Sequence, residues 1–412
     1  MIDTRTPPPG DISRRRFLQG STLAGTAAFL AACGTPPAGS AVASSSAAAS
    51  QAPSASAAAS AGATPATSGT LRFANWIGYI DESDDGTSYP TIEKFQTESG
   101  ITVEYANGAV DDNETFFTSD LQAPLDAGLP TEWDIVVVTD WMVARLARLG
   151  WLETIDTNLT PNFVANLAEN YKARSFDPDT NLAAPWQSGM TGIGFDKNKT
   201  GDLDSLEVFF GSEFKGKLTY LSEMRDTIGL SAIRLGSKPE ELTQEQFDAA
   251  LAEVDKAIKD GIVRQVTGNS YVEDMQGGSV VLSMAWSGDV LSLLVPDQKP
   301  DQDFQWALPK EGGMLWTDNM VIPKGSPNKP QAERWIDFYY EPANAATIEA
   351  WVNYVCPVAG AKEVMVELDA EIANNPLIFP PDDWVARLHQ FRATTAEEET
   401  AWAESFSKAM GL

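Results

Sequence analysis

The chain has 412 residues, with 58 Asp and Glu against 29 Lys and Arg, and a net charge of −29 at pH 7. That balance argues against a nucleic-acid partner, which needs a basic face, and is compatible with a cationic partner or simply with solubility. The single histidine, His389, excludes multi-histidine metal sites and the H-E-x-x-H pattern, and no G-x-S-x-G, Walker A or G-x-G-x-x-G motif occurs.

The first segment reads as an address. Ser13-Arg14-Arg15-Arg16-Phe17-Leu18 has the form of a twin-arginine export signal. A weakly apolar run over 17–32 follows, too short and too rich in Gly, Ser and Thr to span a membrane. It ends in Leu30-Ala31-Ala32-Cys33, which is similar to the lipobox of bacterial lipoproteins and makes residues 1–33 a signal peptide with Cys33 as the lipidation site. Residues 34–69 carry no charge and are nearly all Ala, Ser, Pro, Gly and Thr. Such a segment has too little apolar surface to offset its ordering entropy and reads as a disordered tether. With Cys33 lipidated, Cys356 has no disulfide partner, and the body beyond residue 70 is held by packing alone. Its length suggests two domains.

Along the body, strand-like and helical patterns alternate. Leu71–Trp76, Ile101–Tyr105 and Trp133–Val138 read as strands, and Thr91–Glu98 and Met142–Leu149 as helices. Gly194–Asp196 closes another strand, and Lys217–Leu221 begins a second series. Thr243–Lys259 is a helix with a capping box at Thr243 and Gln246 and a stop at Gly261. Val280–Trp286, Phe304–Leu308 and Met320–Pro323 read as strands. Pro330–Tyr340, Ala343–Trp351, Asp382–Arg392 and Ala396–Met410 read as helices. The alternation predicts parallel, helix-covered α/β sheets. The run Asp81-Glu82-Ser83-Asp84-Asp85 lacks a calcium-loop spacing and reads as a solvated loop.

Aromatic–acid or aromatic–polar pairs fall where these strands stop: Trp76 and Tyr79, Trp141, Glu223 and Asp226, Trp286 and Asp289, Trp316 and Asp318, and Tyr354. Ligands of open α/β sheets bind at the carboxyl ends of strands. A compact organic cation needs a carboxylate for each ammonium and an apolar or aromatic wall for its methylenes. Trp316 and Asp318, two apart, share one side of an extended segment. Glu223 and Asp226, three apart, share a helical turn, where a helix N-terminus would also favour them without any ligand. Core packing is the competing reading for the tryptophans. Trp286-Ser287-Gly288-Asp289 suggests an exposed turn, and Tyr339-Tyr340, beside Trp335 and Phe338, suggests a packed helix.

Phe73-Ala-Asn-Trp-Ile-Gly-Tyr79, Trp133-Asp-Ile-Val-Val-Val138, Trp286-Ser-Gly-Asp289, Gly312-Gly-Met-Leu-Trp-Thr-Asp318, Met320-Val-Ile-Pro323 and the region of Tyr354 together resemble the spermidine/putrescine-binding proteins of bacterial ABC importers. The resemblance implies a two-lobed periplasmic-binding-protein-like (type II) fold with hinge strands and an interlobe ligand cleft. One lobe comprises 70–195 and 319–365, the other 196–318 and 366–412. It further implies a polyamine ligand, delivery to ABC permease subunits, a monomer attached to the membrane through its lipid anchor, and no cofactor, metal or covalent chemistry. Trp286, Asp289, Trp316, Asp318 and Tyr354 fall at ligand positions, Trp141 on an aromatic wall, Glu223 and Asp226 at the acidic end, and Trp76 and Tyr79 on the first ligand loop. Ile77 and Gly78 depart from the family pattern, as do insertions around 80–90 and 107–132. Relatives often carry a Gln contact near the C-terminus, where the alignment drifts around Gln390 to Arg392. Since an Arg there would repel a cation, no ligand role is assigned to it. A binding protein for a sugar or a quaternary amine is the alternative. An exported hydrolase is the other, although Cys356 has no histidine near it in sequence.

Overall fold

The computed structural model describes residues 66–293 and 301–411. The signal segment, the lipobox Cys33 and all but the end of the tether lie outside the described residues. The rest folds around one mixed sheet whose path runs β2-β1-β3-β9-β4-β7-β5-β6. The strands are β1 Gly69–Trp76, β2 Ile101–Val110, β3 Ile135–Thr139, β4 Ala183–Asp196, β5 Leu218–Leu221, β6 Val263–Thr267, β7 Leu282–Trp286, β8 Phe304–Ala307, β9 Gly313–Val321 and β10 Leu388–His389.

The sequence pattern explains the two halves. β1, β2 and β3 are mutually parallel on one side, and β5, β6 and β7 are mutually parallel on the other. Each set is joined by helices, as parallel pairing requires a crossover between neighbouring strands. Between them run β4 and β9, antiparallel to each other over most of their length. β3 pairs with the Asp318–Val321 end of β9, whereas β7 and β8 pair with the Thr191–Asp196 end of β4. Both lobes therefore draw on the same two central strands. This is the first difference from expectation: the sheet is mixed, because these strands return through the middle rather than extending a parallel series.

All 14 residues of β4 are buried. Below the first lobe, Trp186 of β4 packs against Tyr339 at 4.4 Å and edge-on against Phe73 at 5.9 Å, with Trp335 beside Phe95. Tyr339 and Tyr340 are fully buried, in accord with the packed helix expected for them.

Three further expectations are corrected. The helix expected over Asp382–Arg392 stops at Val385, and Leu388–His389 forms β10 alongside Gly313 and Met314 of β9. Gly312 has φ +123°, and a Cβ there would sit 2.7 Å from the Arg387 carbonyl, so the glycine admits the close approach that builds this edge. Ser287–Asp289 is the start of a helix, Ser287–Leu293, and not an exposed turn. Asp81 is buried and accepts the Thr91 backbone N–H at 3.0 Å, so the acidic run begins as an anchor for the helix Pro90–Ser99.

The C-terminal helix Ala396–Met410 starts with a capping box at Thr395 and Glu398. It stacks Trp402 on Phe247 at 4.3 Å and donates the Trp402 indole N–H to Gln244, binding it to the helix Gln244–Lys259 of the second lobe. From the other lobe, the helix Asp140–Leu149 brings Arg145 and Arg148 to Glu399, at 2.8 and 2.6 Å. Burial pushes the Glu399 carboxyl up, but the hydrogen bonds from the two arginines outweigh it and hold the group below its ordinary range. Its stabilising contribution is thus present above the ordinary pKa near 4.5 and is lost as pH falls through the depressed value. Glu399→Gln should therefore cost about 1–2 kcal/mol at pH 7 in urea unfolding, the value for half-buried pairs partly screened by solvent, and much less near pH 3. A pH-independent deficit would exclude the ion pairs as its cause.

Candidate functional site

The carboxyl ends of β3 and β7 meet the two central strands, Thr139 opposite Asp318 of β9 and Trp286 opposite Thr191 of β4, and β1 and β5 end beside them. Each end is shaped by local chemistry. β1 ends in a register shift at Asn75 and Trp76, an irregularity that re-aims side chains. The buried Asn75 takes the Trp76 backbone N–H at 2.9 Å, and Asn107 takes that of Gly78, so the loop to Tyr79 is fixed. Trp186 donates its indole N–H to the Tyr79 carbonyl at 3.1 Å, tying the loop to the core.

Tyr79 then donates its hydroxyl to Asp318 Oδ2 at 2.8 Å, while Thr139, at the end of β3, donates to Asp318 Oδ1 at 2.7 Å. Trp316 and Asp318 do lie on one side of β9, as their spacing predicts. They sit opposite Gly189 and Gln187 of β4. The fit at Gly189 is tight, since a Cβ would lie 2.1 Å from the Trp316 ring. Tyr354 meets Trp316 edge-on at 5.5 Å and Tyr79 at 5.7 Å. Its position follows from the end of the helix Pro342–Val352: Asn353 takes φ +60° as the cap, and buried Glu349 accepts the Tyr354 backbone N–H at 2.6 Å. Across from it, Gly288 leaves room for the Tyr354 ring, which a Cβ would approach to 2.5 Å.

The second lobe supplies the other acids. Asp226 lies in the first turn of the helix Met224–Arg234 and is 4% exposed. It accepts the Thr191 hydroxyl and the Trp286 indole N–H, both at 2.7 Å. Burial pushes its carboxyl up to about 7; the Glu223 charge adds to this and the two hydrogen bonds oppose it. Asp289 accepts from Asn269 at 2.8 Å and from the Tyr271 hydroxyl at 2.9 Å, and that hydroxyl also accepts the Trp286 backbone N–H.

Thus Tyr79, Asp226, Trp286, Asp289, Trp316, Asp318 and Tyr354 belong to one connected array. Glu223 and Trp141 stand at its edge in a different role. Glu223 caps the helix Met224–Arg234 and pairs with Arg225 at 3.1 Å, while the Arg225 guanidinium lies 4.3 Å from the Trp141 ring. Trp141, Arg225, Asp226 and Trp316 line one cavity. Trp76 packs against both apolar cores, and its indole N–H has no hydrogen-bond partner among the described residues. Thr139, Thr191, Asn269, Tyr271 and Arg225 complete the array and were not expected from sequence. Only Gly189, a glycine inside a strand, carried a readable sign of close approach.

Among the described residues no group of three or more His, Cys, Asp or Glu is placed to hold a metal ion, and no helix is long and apolar enough to cross a membrane. His389 lies in β10 with Nδ1 3.0 Å from Glu240, away from this array.

A two-lobed fold with shared central strands and an acid- and aromatic-lined cleft defines a solute-binding protein. Residues 91–380 match the family of bacterial extracellular solute-binding proteins, and the chain belongs to it. The chain is 26% identical over 315 residues to a spermidine/putrescine-binding periplasmic protein of Escherichia coli, covering 76% of this chain and 84% of that protein. It is 27% identical over 362 residues to a putrescine-binding periplasmic protein of Pseudomonas aeruginosa, covering 84% and 93%. Among solved structures it resembles a spermidine/putrescine ABC transporter substrate-binding protein from Streptococcus pneumoniae, with TM-score 0.69, 22% identity and coverage of 83% and 98%. A lipoprotein of Treponema pallidum gives TM-score 0.68 at 19% identity, with coverage of 83% and 100%.

Proposed function

We propose that this protein is the extracytoplasmic capture component of an ABC importer, that its ligand is a polyamine such as putrescine or spermidine, and that it hands the ligand to the permease without covalent chemistry. The observation that carries the reading is the run of aromatic contacts between carboxylates. From Asp318 it passes through Tyr79, Tyr354 and Trp316 to the cavity lined by Asp226. Buried carboxylates suit ammonium groups, and aromatic faces suit the methylenes between them and add cation–π attraction. A sugar site would share the tryptophans but has no need of several buried acids. The relatives with polyamine-binding names support the same ligand class.

In this reading Asp318 and Asp289 hold ammonium groups, with Asp226 at the far end. Trp286, Trp316 and Tyr354 enclose the chain, while Trp76 flanks it and Trp141 lies beyond Asp226 against Arg225. The lobes are 70–195 with 319–365 and 196–318 with 366–412, moving about β4 and β9. Cys33 carries the lipid anchor of a monomer exported through the twin-arginine route, and residues 34–69 are its tether.

The test is a thermal-shift and calorimetry screen of the full chain against putrescine, spermidine, choline and sugars. A polyamine should bind near micromolar, about −8 kcal/mol. A response to sugars or choline alone overturns the proposal. Asp289→Asn should weaken polyamine binding by about 30-fold or more while leaving the melting temperature within about 2 °C of the parent, because Asn can still accept from Tyr271. Unchanged affinity in calorimetry removes Asp289 from the site.

A further inference from the structure

We infer that Arg225 occupies the place a third ammonium would take, so that the cleft selects ligands with two ammonium groups over longer ones. This rests on the polyamine reading above. A ligand nitrogen beyond Asp226 needs two things: a carboxylate to pair with, and an aromatic face or other apolar wall for its flanking methylenes. Of the acids near Asp226, Asp140 lines the cavity but is held by Arg174 at 3.1 Å and Asn319 at 2.8 Å. Glu223, one turn from Asp226, and the ring of Trp141 remain, and Arg225 engages both.

Arg225 Nη1 is 3.1 Å from Glu223 Oε1, and its guanidinium carbon is 4.3 Å from the centre of the Trp141 ring. Arg145, held by Glu114 and Glu399, also lies over that ring at 5.2 Å. The Arg225 side chain is 17% exposed and lines the same cavity as Asp226 and Trp316. Its planar guanidinium combines ion pairing and aromatic stacking in one fixed group. Arg225 Nη2 is also 4.0 Å from Glu399, so its charge is paired, and an incoming third ammonium is excluded because it finds the carboxylate taken and the ring covered.

Arg392 lines the cavity as well, but its partners lie elsewhere and include neither Glu223 nor Trp141. Its guanidinium donates to Glu398 at 2.7 and 2.9 Å and to the Leu242 carbonyl, and lies over Trp402. Arg225 is therefore the residue that sets the length limit.

Calorimetry on the full chain with putrescine and with spermidine tests this. The wild-type protein should prefer putrescine by about tenfold or more. In Arg225→Ala and in Arg225→Gln, the ratio of spermidine to putrescine Kd should fall by about tenfold, because Glu223 and Trp141 become available. Adding Glu223→Gln to either variant should cancel that gain, which a merely structural role for Arg225 would not produce. Equal wild-type affinities overturn the inference without any variant. A ratio unchanged in a variant that still melts cooperatively overturns it as well, and leaves the polyamine reading standing. A wild-type protein that binds neither amine overturns both.

Discussion

The Asp226→Asn protein should melt above the parent at pH 8 while losing most of its affinity for putrescine. Asp226 is buried, and its folded pKa of about 7 lies above its ordinary value of 3.8. The folded state therefore holds the extra proton between those values, and stability falls as pH rises from about 4 to about 7. Above that window the ionised carboxylate carries its full cost, on the order of 4 kcal/mol at 1.36 kcal/mol per pKa unit. Asn removes the charge yet keeps the local geometry. Its oxygen can accept the Trp286 indole N–H, and its amide can donate to the Thr191 hydroxyl, the two groups now 2.7 Å from the carboxylate. The expected gain is roughly 3–6 °C in melting temperature at pH 8, shrinking toward zero near pH 4. The expected loss of affinity is about 30-fold or more, the cost of removing one partner from a buried charge pair. In the parent, an arriving ammonium must displace the Asp226 proton below pH 7, so affinity should fall up to about tenfold per pH unit there. A flat affinity profile between pH 5.5 and 8, or a destabilised Asn variant at pH 8, would remove Asp226 from this role.

Gly189→Ala should have the second large effect, for a purely steric reason. Gly189 pairs with Trp316 across β4 and β9, and an added Cβ would stand 2.1 Å from the ring. Its φ is not in the left-handed range, so the backbone tolerates Ala and only the ring must move. Overpacking of this kind costs about 1–3 kcal/mol. The displaced Trp316 also loses its edge contact with Tyr354, and polyamine affinity should drop by about tenfold or more. In the double variant Gly189→Ala/Trp316→Ala the clash is gone. Denaturant unfolding should then show strong favourable coupling between the two changes. Simple additivity would mean that the ring and the glycine are not in contact.

These two residues illustrate what the sequence makes legible. The strands β1, β2, β3, β5, β7, β8 and the end of β9 and the longest helices follow from apolar periodicity, whereas β6, β10 and the helices Met224–Arg234, Tyr271–Gly277 and Ala361–Leu368 are not read from it. Trp316 with Asp318 follows from alternation along an extended segment. The capping box at Thr243 and Gln246 stands where the pattern places it. The helix over Asp382–Arg392 fails because tertiary pairing with β9 at Gly313 overrides a local pattern. Glu223 and Asp226 share a turn as expected, yet their fates differ. One caps its helix in solvent reach beside Arg225, and the other is sealed under Trp286. Spacing cannot separate them, since burial is set by β7, far along the chain. Thr139, Thr191 and Tyr271 are unreadable for the same reason, as each reaches its acid only through strand register or the packing of a distant helix.

The shared central strands also bear on how the chain comes into being. β4 is made early, but its long neighbour β9 is made only after most of the second lobe, and β9 also completes the first lobe beside β3. Until then β3 and β4 present unpaired backbone edges, the kind of surface that recruits other chains. A nascent or truncated protein ending before residue 313 is thus two unfinished half-sheets, and fragments cut between the lobes should aggregate where the full chain folds. Neither lobe has its complete sheet until β9 is made, which makes Gly313–Val321 the keystone of assembly as well as the floor of the cleft.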